Sequence, residues 1–114
     1  TEKLIKKKID HKLDKLLYEL NLINIDDEDN DSGNSEKIRD MLKEAEKFRL
    51  SIINNYKKYL GNSYITLTLK KMQIIIDGYK AKLYTIKERE NEKILINMFN
   101  QMKMEEPEKK GKGR

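Results

Sequence analysis

Between residues 65 and 86 an apolar side chain recurs every third or fourth position: Ile65, Leu69, Met72, Ile76, Tyr79, Leu83 and Ile86. Steps that alternate four and three keep one line of side chains on one face of an α-helix. A strand, with its period of two, scatters the same residues over both faces. Ile74 and Ile75 add a second apolar edge, which places this helix at the centre of a bundle. Tyr64-Ile65-Thr66-Leu67-Thr68-Leu69 also alternates like a strand. No second segment is fit to pair with it, so helix is the expectation. Gly78 costs about 1 kcal/mol relative to Ala inside a helix. It marks a close helix crossing or is simply tolerated.

Two further segments carry the same kind of pattern. Ile9, Leu13, Leu16, Leu20 and Ile23 make a heptad-like seam over residues 3 to 23, broadened by Leu17. Lys3, Lys6, Lys7 and Lys8 crowd its start, where cations oppose the helix dipole, so the first turn should fray unless it docks on something acidic. Ile38, Met41, Ala45, Phe48, Ile52, Tyr56 and Tyr59 line a second helix over about 36–60, joined by Leu42, Ile53 and Leu60. Gly61 suits the left-handed position that ends a helix, and Ser63 can cap the next one. A link this short predicts antiparallel neighbours. Between the first two helices lies Ile25-Asp26-Asp27-Glu28-Asp29-Asn30-Asp31-Ser32-Gly33-Asn34. Its residues favour turns and caps, so 25–35 reads as an acidic loop with Asn34 or Ser35 capping the second helix.

After Ile86 the pattern changes. Lys87 to Lys93 has no apolar residue although its composition favours helix. The helix runs through, solvated all round, or the chain turns near Asn91. Apolar residues resume at Ile94, Leu95, Met98, Phe99 and Met102 as a short amphipathic segment. Such a segment is a common means of docking onto another chain. Beyond Pro107 the basic residues Lys109, Lys110, Lys112 and Arg114 read as a disordered tail, 107–114, after a single domain, 1–106. The expected fold is all-α: an antiparallel hairpin or bundle of three long amphipathic helices plus a short C-terminal helix.

Composition agrees with stripes in place of a thick core. Of the 114 residues 37% are hydrophobic and 39% charged, against about 45–50% and about 25% in ordinary domains. Without cysteine there is no disulfide, thiolate metal site or thiol nucleophile. No apolar run approaches the roughly 20 residues that span a bilayer, and the first residues show no secretory apolar core. The expected setting is cytoplasmic or nuclear.

No chemistry-bearing constellation emerges. His11 is the only histidine and lies on the polar face of the first helix, too few ligands for a metal. Asp27, Asp29 and Asp31 have calcium-loop spacing, but Ser32 and Ile38 stand where that loop needs Gly and Glu. No glycine-rich loop suits nucleotide phosphates. A binding role without catalysis, cofactor or small-molecule substrate is the expectation. The partner would be a protein or a second copy, met through Ile94, Leu95, Met98, Phe99 and Met102. With net charge +5, the alternative is electrostatic contact with nucleic acid through Lys70, Lys71, Lys80, Lys82, Lys87 and the basic tail.

Lys80-Ala81-Lys82-Leu83-Tyr84-Thr85-Ile86, late on a long apolar-striped helix and followed by a charged segment, resembles a stretch of the GINS subunits of the replicative helicase. The resemblance covers about residues 36 to 100. It implies a non-enzymatic scaffold in a DNA-replication complex that assembles with sister subunits. Two features depart from the family: no segment can form its small β-rich domain, and lysines stand where its signature has arginines.

Overall fold

The structure is a computed structural model that describes the backbone of residues 1–113 and the side chains of residues 1–103. It is all-α, with no strand among the described residues. Three long helices carry the fold: α1 (Glu2–Leu22), α2 (Asp31–Ser51) and α3 (Asn62–Gly113). Residues 64–69 are helical, which decides between the two patterns they carry.

The core is where the seams meet. Ile9, Leu13, Leu16 and Leu20 of α1 are buried, with Ile38, Ala45 and Ile52 from the second segment and Ile65, Met72, Ile75, Ile76, Tyr79 and Ile86 of α3. Side-chain contacts tie the helices to one another. Tyr64 reaches Asp10, Tyr79 reaches Leu16 and Lys82 reaches Leu20. Lys12 pairs with Glu44 and Lys37 with Glu19. Lys12 holds the Glu44 carboxyl below its usual value through their hydrogen bond.

Polar contacts fasten the seam between α1 and α3. The Tyr79 hydroxyl, fully buried, donates to the Leu16 carbonyl at 2.6 Å. Desolvation pushes its pKa up to about 12. The Tyr64 hydroxyl lies 2.9 Å from Asp10 Oδ1, and desolvation followed by that carboxylate raises its pKa to about 12 as well. At the crowded basic start of α1, Lys6 pairs with Glu2 at 3.3 Å and sits 5.0 Å from the Tyr64 ring centroid. Gly78 is a close crossing: a Cβ there would stand 2.7 Å from Leu20 Cδ2.

Several expectations are corrected. The acidic segment is no loop through residue 35. A single 3-10 turn, Glu28–Asn30, leads directly into α2 at Asp31. Asp27 caps that turn by accepting from the Asp29 N–H at 3.0 Å, and Asn30 Nδ2 donates to its other oxygen at 3.2 Å. Asp31 and Ser35 are buried within α2, so neither Asn34 nor Ser35 is a cap. Favourable placement of Asp31 in the first turn and burial against α3 outweigh the turn preference of Gly33 and Asn34.

The second segment also ends differently. After α2 comes a π-helical turn, Ile52–Tyr56, and then a 3-10 turn, Lys57–Tyr59. The wider π turn carries an extra residue, so the inward positions become Ile52, Tyr56 and Leu60 while Tyr59 rotates to solvent. Leu60 ends the segment in extended conformation. No glycine has positive φ among the described residues, so Gly61 is not the left-handed terminator. Instead its carbonyl accepts from the Ile65 N–H at 3.1 Å, and α3 starts at Asn62, one residue before the expected Ser63 cap. Leu17 and Ile74 are exposed and do not broaden the core.

Among the described residues no separate fourth helix follows α3. Residues 87–93 continue α3 without a break, as Glu, Lys and Arg favour helix and neither Gly nor Pro interrupts them. The expected basic tail, 107–114, lies outside the residues whose side chains are described.

Candidate partner-binding surface

The four-and-three rhythm of the core seam on α3 continues arithmetically past Ile86 to Glu90, Lys93, Asn97 and Asn100, all polar. Ile86 is fully buried, and among the residues of α3 whose side chains are described Arg89 is the last that is partly covered. Residues 90–103 are exposed on every side. The inward seam therefore turns polar where the neighbouring helices stop.

The apolar residues do not stop there; they move to another face. Ile94 and Met98 stand one position beyond the continued seam, Leu95, Phe99 and Met102 two positions beyond it. At 3.6 residues per turn this is a rotation of roughly 100–200°. All five are more than half exposed, as is Ile96 on the flank. The structure brings the five expected contact residues onto one broad stripe of one helix. What sequence reading missed is its surroundings: Ile96 widens it, and the helix beneath it is the third helix itself.

The end of the covered region is tied down by side chains. Lys82 Nζ donates to the carbonyls of Leu20 and Ile23 at 2.6 and 2.7 Å. The Leu20 carbonyl also accepts the Ile23 N–H at 3.3 Å; both carbonyls lie where α1 ends, and a cation belongs there. Arg89 donates to the Ile25 carbonyl and holds Asp31 at 3.7 Å across a buried ion pair. Both Asp31 oxygens lack a hydrogen-bond partner, so Arg89 supplies the compensating charge. The α2 start is thereby fixed to α3 just before the exposed stretch.

The expected phosphate contacts divide. Lys70, Lys71, Lys80 and Lys87 are exposed on α3. Lys82 is spent on the end of α1 and is corrected to a fold residue. Lys109, Lys110, Lys112 and Arg114 lie outside the described side chains.

A second apolar feature was not expected. Leu13, Leu17, Ile74 and Ile75 line a groove of about 500 Å³ between α1 and α3, with Asp10, Asp14 and Lys71 at its rims. Its one sequence signal is the doubling of Ile74 beside Ile75. His11 is exposed. Asp27 and Asp31, two of the three acids with calcium-loop spacing, are engaged as a cap and a buried ion pair. Among the described residues no group of three or more His, Asp or Glu is placed to hold a metal ion. Nor is any helix among them long and apolar enough to cross a membrane. In comparisons with protein-family models, curated proteins and solved structures, nothing matches the chain.

Proposed function

We propose that this chain is a non-catalytic assembly subunit: an antiparallel three-helix bundle that holds out the far part of α3 as a docking rod. The observation that carries the reading is the displaced stripe. Ile94, Leu95, Met98, Phe99 and Met102 leave the seam that serves the chain's own core and lie in water. Apolar surface of this kind marks an interaction site. Its burial on a protein partner contributes about 25 cal/mol per Å² before the costs of association. The test is a Met98→Asp, Phe99→Asp double variant. It keeps its far-UV helicity and unfolding midpoint and loses assembly. A collapse of helicity would assign the two residues to the chain's own core and end the proposal.

A GINS-like place in a DNA-replication complex is one identity for the assembly, supported by the resemblance of residues 80–86. Nucleic-acid binding through Lys70, Lys71, Lys80 and Lys87 is the second reading, supported by their exposure along one helix. A salt titration against random duplex DNA tests it: electrostatic binding falls steeply with added salt, and no binding at about 50 mM salt removes it.

A further inference from the structure

We infer that the end of the bundle where α1 begins is a docking surface for an anionic lipid bilayer. This surface is separate from the α3 stripe and does not depend on that reading.

Charge is the first argument. Residues 1–11 and 47–71 hold ten bases and two acids, Glu2 and Asp10. Ten less two leaves +8 here, in a chain whose total is +5, so the remainder is net negative. The fold brings the two stretches together. The Tyr64 hydroxyl lies 2.9 Å from Asp10 Oδ1 and 3.3 Å from the Lys6 carbonyl oxygen, and Lys71 shares a groove with Asp10. The acids around this end are already engaged. Glu2 pairs with Lys6 and Asp10 is bonded to Tyr64. The last acids of α2, Glu44 and Glu46, pair with Lys12 and Arg49. Lys3, Lys7, Lys8, Lys57 and Lys58 stand exposed. Lysines at the start of α1 oppose its dipole in the free chain; against an anionic surface the same lysines stabilise.

Apolar surface among the lysines favours a bilayer over nucleic acid. Leu4 is 65% exposed and Tyr59 55%. Leu4 lines a hollow of about 460 Å³ on α1 with Ile5, Lys7, Lys8 and His11. A phosphate backbone gives a leucine nothing to bury against, whereas the acyl boundary of a bilayer does. Lysine stems lie along apolar surface while their ammonium groups reach the headgroups, and tyrosine favours that same level.

The kind of cation agrees. Every Lys or Arg position in residues 3–8 and 57–71 is lysine. Lysine is a compact point charge suited to a diffuse anionic surface, while paired readout of phosphates and bases draws on arginine.

Co-sedimentation of the full chain with lipid vesicles tests the inference. At about 50 mM salt, binding is expected to phosphatidylcholine vesicles carrying about 30% phosphatidylserine, and not to phosphatidylcholine alone. Raising the salt to about 0.5 M releases the chain. Each lysine near such a surface strengthens binding about fivefold, so Lys7→Gln with Lys8→Gln should weaken it about 25-fold. Leu4→Ser should weaken it about tenfold. All three positions are exposed, so helicity and the unfolding midpoint stay unchanged. No binding to the anionic vesicles at low salt, or equal binding to both kinds, overturns the inference. So does vesicle binding that Leu4→Ser leaves unchanged; duplex DNA held by the same lysines would then make the surface a nucleic-acid site.

Discussion

Lys82 and Leu20 are 62 residues apart in sequence, yet the Lys82 ammonium sits 2.6 Å from the Leu20 carbonyl oxygen and closes the end of α1. By position alone Lys82 belongs with the exposed lysines of α3. Its length lets it snorkel along apolar surface to the carbonyls at the end of α1.

That contact yields the first prediction. Lys82→Met keeps the stem and removes the donor, leaving two carbonyls without it. Hydrogen bonds to charged groups contribute about 1.5–3 kcal/mol, and partial hydration of the site reduces this, so a loss of about 1–2 kcal/mol is expected in urea unfolding. Lys80→Met, on an exposed neighbour, leaves stability within about 0.5 kcal/mol. Equal effects would show that Lys82 is not a capping residue.

Asp31 and Arg89 supply the second. Removing one partner strands the other in a buried site, so Arg89→Leu is expected to cost about 3 kcal/mol. Replacing both with leucine recovers much of that loss, because an apolar pair carries no desolvation penalty. A double-mutant cycle by chemical denaturation checks it. Additive single effects would mean that the two side chains do not act on each other.

Alkaline pH gives the third. Tyr79 has a folded pKa of about 12 against 10.0 when unfolded. The unfolded chain therefore loses its proton first as pH rises. The stabilisation is complete below pH 10 and declines up to about 12. Tyr79→Phe should be less stable at neutral pH, lacking the bond to Leu16, and show a shallower alkaline decline. Tyr64 shares the same window, so the decline shrinks without vanishing. Thermal midpoints measured from pH 8 to roughly 12 decide this; an unchanged slope contradicts the assignment.

At Gly78 two effects oppose each other. Alanine gains about 1 kcal/mol of helix propensity but its Cβ meets the tip of Leu20, a flexible group that can turn aside. Gly78→Ala should therefore fall near neutral. Gly78→Leu adds bulk that Leu20 cannot yield to and should cost about 2 kcal/mol. A stabilising Gly78→Leu would refute the close crossing.

Much of the fold is legible in the residues alone. The unbroken run from Ile65 to Ile86 defines α3 and its buried face, because helical spacing is a local property of the chain. The five stripe residues can be named for the same reason. Local reading fails where distant groups decide. Asp31 begins a helix in company with Arg89, and no rule about Asp, Gly and Asn neighbours contains that partner. The π turn at Ile52–Tyr56 turns Tyr59 out to solvent while Leu60 stays in the core, a register change that periodicity cannot foresee. The polar stretch from Lys87 to Lys93 leaves continuity open; the absence of glycine and proline from it is the informative sign.

Amide hydrogen exchange, followed residue by residue as concentration rises, tests the central claim most directly. At dilution, where single chains dominate, the amides of 91–103 should exchange far faster than those of 65–86. On assembly the same amides should slow together. Strong protection of 91–103 in the dilute single chain would contradict an open docking stripe on α3.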